Sequence, residues 1–386
     1  MSERTNGASD ARDASLPRIV VFSDDWGRHA SSCQHLISSL LPRYRVDWVE
    51  TIGTRTPSLS KADFQRGVSK LRSFFGPKAK TSERVLPPNL RIVAPRMLPS
   101  FASDRRRRIN AWLLQRGLAH VLDPSDPPLA VITTAPIVAD LAARTPYLHW
   151  VYYCVDALDE WPGLDGETLY QMEVEMLPHM QRVLVVSEVL RARMAQRGIV
   201  APLLTHGVDL ARWAVDRSAH RAAQPPKTLF WGHADERLHE GICLALAEAT
   251  ELTFVGPRGN VAPALAQHPR IHWQGSVDFD ELPRFAAAAD VLVMPYADSE
   301  ATRNMQPLKL KEYLATGLPT VVTPLPANLF WSHAMDVVDT PQAFVARVLE
   351  RAQSGLPADQ ARAREALRAE GWDQKVRILE EAIHAR

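Results

Sequence analysis

The chain has 386 residues, 46% of them hydrophobic, with 45 Lys or Arg against 44 Asp or Glu and a net charge of +1. This length exceeds what one hydrophobic core normally supports, so two domains are the default for what composition marks as a soluble globular protein. No apolar run reaches the roughly 18 residues needed to cross a bilayer, and the first residues lack the apolar middle of a signal peptide, so a cytoplasmic protein is expected.

Residues 1–16 are polar and read as a flexible start. Arg18 to Ser23 is a β-branched run ending in a polar loop, and Cys33 to Leu41 carries a helical pattern, a β-loop-α opening. The next stretch is basic. From Arg55 to Arg116 there are 15 Lys or Arg against Asp63, Glu83 and Asp104, a local excess of about +12. Within it Phe64, Val68, Leu71 and Phe75 recur at helical spacing among Lys61, Arg66, Lys70 and Arg72, and Arg105 to Arg108 precede Trp112, Leu113 and Leu114. Both read as basic amphipathic helices, and an anionic membrane surface is the expected partner of 55–116, ahead of the alternative of a core with a solvated outer face. No helix-turn-helix, zinc-finger or RNA-recognition motif supports nucleic acid.

Leu129 to Thr133, Tyr147 to Val155 and Val183 to Val186 read as buried strands, each followed by a helical stretch such as Glu188 to Gln196, which implies a parallel sheet. A first domain over 17–217 is expected, with 218–227, rich in Ala and Pro, as linker. A second alternation fills 228–360, with strands at 228–231, 252–255, 272–274, 291–294 and 320–322. Gly232, Gly256 and Gly275 follow three of these, where they let backbone approach a ligand. Residues 361–386 form a helical segment expected to pack back on the first domain. In open α/β sheets ligands bind beyond the carboxyl ends of the strands, so two such domains facing one another make an interdomain cleft. Cys33, Cys154 and Cys243 are far apart and show no Cys-x-x-Cys spacing, so neither a disulfide framework nor a zinc site is indicated.

Met305 to Thr323 is the most informative segment. Pro307 suits the first helical turn, while Gly317 and Pro319 end the helix before a strand at Thr320. Lys309 and Glu312 share a face near a helix N-terminus, where a cation suits phosphate and a carboxylate suits ribose hydroxyls. The same pattern also reads as a buried Leu308/Leu310/Leu314 stripe with a surface ion pair.

Pro307-Leu-Lys-Leu-Lys-Glu-Tyr-Leu-Ala-Thr-Gly-Leu-Pro319 resembles the donor-binding segment of GT-B glycosyltransferases. Further resemblance lies in Val185-Val186-Ser187-Glu188, His206-Gly207-Val208-Asp209, Phe254-Val255-Gly256-Pro257 and Ala289 to Tyr296. Through Ser23-Asp24-Asp25-Trp26 and Tyr152-Tyr153-Cys154-Val155-Asp156 the chain is similar to bacterial transferases of teichuronic acid and exopolysaccharide synthesis, including the xanthan glucuronosyltransferase. The resemblance implies a GT-B architecture of two Rossmann-like domains and transfer of a sugar from a nucleotide-diphosphate donor. The acceptor it implies is a glycan or polyprenyl-linked glycan at the inner face of the plasma membrane. No cofactor or metal is expected beyond the donor itself.

Lys309, Gly232 and Arg237 would stabilise the leaving diphosphate, with Glu312 at the ribose and Ser276, Val277, Tyr296 and Asn304 as further donor contacts. Asp156 falls at the similar enzyme's catalytic aspartate and is assigned as general base, although a loop or cap carboxylate has the same local sequence. Asp25, Trp26 and Arg28 would face the acceptor, Trp26 being equally legible as structural. Retaining members of the family carry glutamates at the positions of both Asn304 and Glu312, so Asn304 favours an inverting reaction. Asp278-Phe279-Asp280 imitates a metal-binding Asp-x-Asp but is better read as helix N-capping. His206 is open between a cleft role and a structural one. Alternatives to a transferase are a nucleotide-sugar 2-epimerase or a non-catalytic nucleotide-sugar-binding protein.

Overall fold

The computed structural model describes residues 13–27, 31–51, 86–161, 163–216 and 223–385. Arg28, the stretch carrying Phe64, Val68, Leu71 and Phe75, and residues 218–222 of the expected linker lie outside the described residues.

Near-continuous apolar runs dictate the architecture, because a strand buried on both faces needs no polar alternation. Ile19 to Ser23 of β1 (Arg18–Ser23) are all buried, as is every residue of β4 (Ala130–Thr133) and β5 (Trp150–Cys154). With β2 (Arg45–Glu50), β3 (Leu90–Val93) and β6 (Arg182–Val185) they form a six-stranded sheet in the order β3-β2-β1-β4-β5-β6, parallel throughout. A second parallel sheet is built from β7 (Lys227–Trp231), β8 (Glu251–Val255), β9 (Ile271–Gly275), β10 (Val291–Met294), β11 (Thr320–Val322) and β12 (Asp336–Val337). Its order, β12-β11-β10-β7-β8-β9, reproduces that of the first sheet strand for strand. Each is therefore a Rossmann-like doubly wound unit whose strand order reverses between its first and fourth strands.

Three strands, β2, β3 and β12, escape the apolar pattern, and two of them carry buried charge. Asp47 in β2 is 1% exposed and takes Arg91 of β3 at 2.7 Å, while Asp336 of β12 takes Arg351 at 2.6 Å. Such pairs satisfy one another inside the fold but erase the hydrophobic signature of the strand.

The cores change over earlier than the expected 218–227 linker. Leu204 belongs to the first core and Val208 and Trp213 already belong to the second, so the crossing is Thr205 to Gly207. The chain returns near Gly371: Leu367 packs in the second core, whereas Val376, Leu379, Ala382 and Ile383 of the helix Trp372–His384 pack in the first. Among residues 361–386, therefore, only the last helix lies on the first unit. Two adjacent crossings form a hinge, tied by buried Lys311, whose ammonium reaches the His206 carbonyl at 2.5 Å, Thr205 at 3.2 Å and Glu370.

Loops at the carboxyl ends of the two sheets meet across a cleft: Trp161, beyond β5, lies under the Arg237 guanidinium, beyond β7, at 4.9 Å.

Candidate active site

The cleft is built where β7 and β10 diverge, the point at which strand order reverses and open sheets bind their ligands. β7 ends in Gly232 at φ +123°, and a Cβ there would stand 2.6 Å from the Lys309 ammonium. Only glycine admits that cation so close to the backbone. Gly256 packs against Gly232 in turn, since its own Cβ would meet the Gly232 carbonyl at 2.3 Å. The strand-end glycines thus let loops and a lysine pack together.

Lys309 lies on the first turn of the helix Leu308–Ala315, with Pro307 one residue earlier than expected, at the N-cap. Its Nζ donates to the Tyr296 hydroxyl at 2.7 Å and sits 3.7 Å from the Phe230 ring centre. Burial, and then the neighbouring Arg237 cation, hold this ammonium well below the usual lysine range. Arg237 is fixed in a fork by Asp235, with Nε and Nη2 each 2.8 Å from a carboxylate oxygen. Two oriented cations thus stand together at a helix start, an arrangement that lowers its energy by taking up an anion.

Asp156 faces them from the first unit, just past β5. It does not cap the 3₁₀ turn Leu158–Glu160, whose N-cap is Ala157, and no described residue donates a hydrogen bond to its carboxylate. Burial raises its pKa to about 7, and Arg237 pulls the other way.

On the far side of Lys309, Glu312 is 5% exposed and its Oε2 accepts from the Trp231 indole N–H at 3.1 Å. Burial raises this carboxyl to about 7 as well, against the pull of that N–H and of Lys309. Glu312 lines a cavity of about 540 Å³ bounded also by Trp213, Phe279, Arg212, His35 and Trp372. Trp213 stacks on Trp231 at 5.1 Å and His35 on Trp372 at 4.6 Å. The charges therefore run Asp156, Arg237, Lys309, Glu312, Arg212: carboxylate, two cations, carboxylate, cation.

The remaining residues singled out from sequence fall elsewhere. Asn304, expected at the donor, gives both amide protons away, one to Glu160 of the first unit and one to the Glu300 carbonyl at 3.1 Å. Ser276 is exposed on the cleft-side loop after β9, and Val277 packs onto the second core. Asp278 makes no side-chain cap, and Asp280 pairs with Arg212, so the expected N-capping by these carboxylates is corrected: ion pairing takes its place. Trp26 sets its ring edge-on to Trp48 at 4.7 Å, half-buried on the first core. Asp25 belongs to the same loop, which Gln34 pins through the Asp25 carbonyl and the Gly27 N–H. His206 is structural: its Nε2–H donates to the Gln306 carbonyl at 2.8 Å, Nδ1 takes the Ser32 hydroxyl, and burial depresses its pKa to about 3, keeping it neutral. Glu160, Trp161, Trp213 and Arg212 had no sequence signal of their own, because each matters through a partner in the other unit or across the cavity.

Residues 234–353 match the family model described as Glycosyl transferases group 1. A stretch of 79 residues is 38% identical to the Bacillus subtilis teichuronic acid biosynthesis glycosyltransferase TuaH, covering 19% of this chain and 20% of that relative, so the chain matches about a fifth of the relative's length. Among solved structures it is similar to sucrose-phosphate synthase from Thermosynechococcus elongatus, with a TM-score of 0.66 at 15% identity over 95% of this chain and 98% of that one. It is also similar to Anabaena HepE in complex with UDP-glucose, with a TM-score of 0.63 at 12% identity over 96% and 100% of the two chains. The fold is GT-B, and the stretch similar to the group 1 glycosyl transferases lies within its second unit.

Proposed function

We propose that the chain is a glycosyltransferase that moves a sugar from a nucleoside-diphosphate donor to a glycan or lipid-linked glycan, by inversion and without metal. The observation that carries this reading is the enclosed pair Arg237 and Lys309, flanked by two carboxyls near neutral pKa. A diphosphate fits between the cations, its ribose reaches Glu312, and its base enters the aromatic cavity beside Phe279. The sugar then lies toward Asp156, which removes the acceptor proton as the glycosidic bond breaks through an oxocarbenium-like state.

Uridine, guanosine and thymidine diphosphate sugars, tested in excess EDTA with and without lipid extract, are expected to give nucleoside diphosphate release from one donor, faster with extract. Binding without release in either condition would leave a non-catalytic binding protein, and release only when divalent metal is restored would overturn the metal-free mechanism. Glu312→Ala is expected to weaken nucleoside-diphosphate affinity by about 1.5–3 kcal/mol, the range for a hydrogen bond to a charged group. Isothermal calorimetry reads this directly, and unchanged affinity would remove the ribose role.

The helix Asp104–Gly117 supports placing the acceptor at a membrane surface. Its inner face buries Asn110, Ala111 and Leu114, and Arg107 turns inward to a fork on Asp140. Steps of three and four residues put Arg105, Arg108, Ile109, Trp112 and Arg116 on the outer face, where Trp112 is 53% exposed. An aromatic ring ringed by arginines suits the headgroup layer of an anionic bilayer. The triple substitution R105E/R108E/R116E is expected to abolish co-sedimentation with phosphatidylglycerol vesicles, since each cation near such a surface contributes about 1 kcal/mol. No helix among the described residues is long and apolar enough to cross a membrane.

A further inference from the structure

The short turn that follows Asp156 is held from the opposite unit at two points. Glu160, on the 3₁₀ turn Leu158–Glu160, takes the Asn304 amide through one carboxylate oxygen, while its other oxygen lies 3.1 Å from Arg193. Arg193 in turn grips Asp159 at 2.5 Å, so the turn is braced from beneath by its own unit. One residue on, Trp161 carries the Arg237 guanidinium on its ring face at 4.9 Å. Asn304 ends the helix Glu300–Asn304, which begins at a capping box on Ser299 and Thr302 and is thereby fixed to the second unit. Its remaining amide proton is bound within that helix, by the Glu300 carbonyl.

From this juxtaposition we infer that Asn304 is a positioning residue, holding the Asp156 turn against the donor-binding unit through Glu160 so that the base is in place only when the two units are docked. The inference rests on the glycosyltransferase reading and deepens it. The side chain touches neither the diphosphate cations nor the cavity at Glu312. Its role is geometric, and a neutral amide is required because Glu160 already supplies the carboxylate. A second carboxylate at 304 would oppose Glu160 across the cleft and drive the units apart, since like charges in contact destabilise a partly buried pair. The absence of a glutamate at this position is thus explained by the presence of Glu160.

The test measures kcat and KM for donor turnover together with nucleoside-diphosphate affinity in wild type, N304A, N304E, E160Q and the double variant N304E/E160Q. N304A is expected to lower kcat about tenfold or more while the nucleoside-diphosphate Kd stays within twofold. N304E is expected to fall further, and adding E160Q is expected to restore kcat at least tenfold over N304E alone, because the glutamine amide then donates to the new carboxylate and the hydrogen bond reverses direction. Wild-type kcat in N304A, or a double variant no faster than N304E, would overturn the inference while leaving the donor reading intact. A wild-type protein that binds no nucleoside diphosphate would instead remove the donor reading, and the inference with it.

Discussion

Asp156→Asn is expected to reduce glycosyl transfer by about 10²–10⁴-fold, the range for loss of a general base, while nucleoside-diphosphate affinity changes by no more than a few-fold. The carboxylate belongs to the first unit and acts on the cation pair through the field it exerts on Arg237. Its pKa near 7 gives the pH dependence a sign. Below that value Asp156 is protonated and cannot accept a proton, so kcat rises with pH through about 7 and levels off above it. Glu312 ionises in the same window, so donor affinity also rises with pH. Asp156→Asn should flatten the limb in kcat and leave the one in affinity, whereas Glu312→Gln should do the reverse. Full activity in Asp156→Asn would remove the assignment.

A stability measurement on the same variant carries independent information. The folded-state pKa of Asp156 is raised, so the folded protein holds a proton that the unfolded chain gives up near pH 4, and stability is lost as pH climbs from about 4 to about 7. Asn carries no such penalty. Asp156→Asn is therefore expected to melt higher than wild type at pH 8, with the gap closing at pH 4, the signature of a group kept for chemistry at a cost in stability.

Much of this site is legible in the sequence, and the limits have physical causes. Gly232, Lys309 and Glu312 could be placed because helix periodicity and strand-end glycines are local signals, read within one turn or one strand. Asn304 could be singled out from sequence, but its partner could not. Glu160 lies in a turn with no periodicity, and its meaning depends on a docking geometry fixed by distant elements, the hinge at Thr205 to Gly207 and the returning helix Trp372–His384. The expected linker at 218–227 falls after the true crossing because exposed, Ala- and Pro-rich composition marks a loop without marking where a core ends. Val208 and Trp213 mark that, and their allegiance to the second core is a tertiary fact. The same holds for β2 and β12, whose buried Asp47 and Asp336 look like surface residues until their arginines are in place.

Lys309→Met should lower kcat by about 10²–10³-fold, the cost of removing one preorganised donor from a developing anion, and should weaken nucleoside-diphosphate binding as well. The substitution leaves an apolar chain, one atom shorter, under Phe230 and Tyr296, and removes the charge together with the hydrogen bond to the Tyr296 hydroxyl. The ammonium is held well below its ordinary pKa, so the folded protein resists protonation there and loses stability as pH falls below the unfolded lysine value. Removing it is expected to raise the melting temperature at neutral pH, which no merely structural lysine would do. An arriving diphosphate supplies the missing counter-charge, so binding raises the lowered pKa of Lys309 and adds a proton-uptake contribution, opposite in sign to the release expected from Glu312. Calorimetry in buffers of different ionisation enthalpy reads that uptake, and the wild-type value should exceed that of Lys309→Met. Equal uptake in the two proteins, or a melting temperature that falls, would mean that this lysine supports the fold and the diphosphate lies elsewhere.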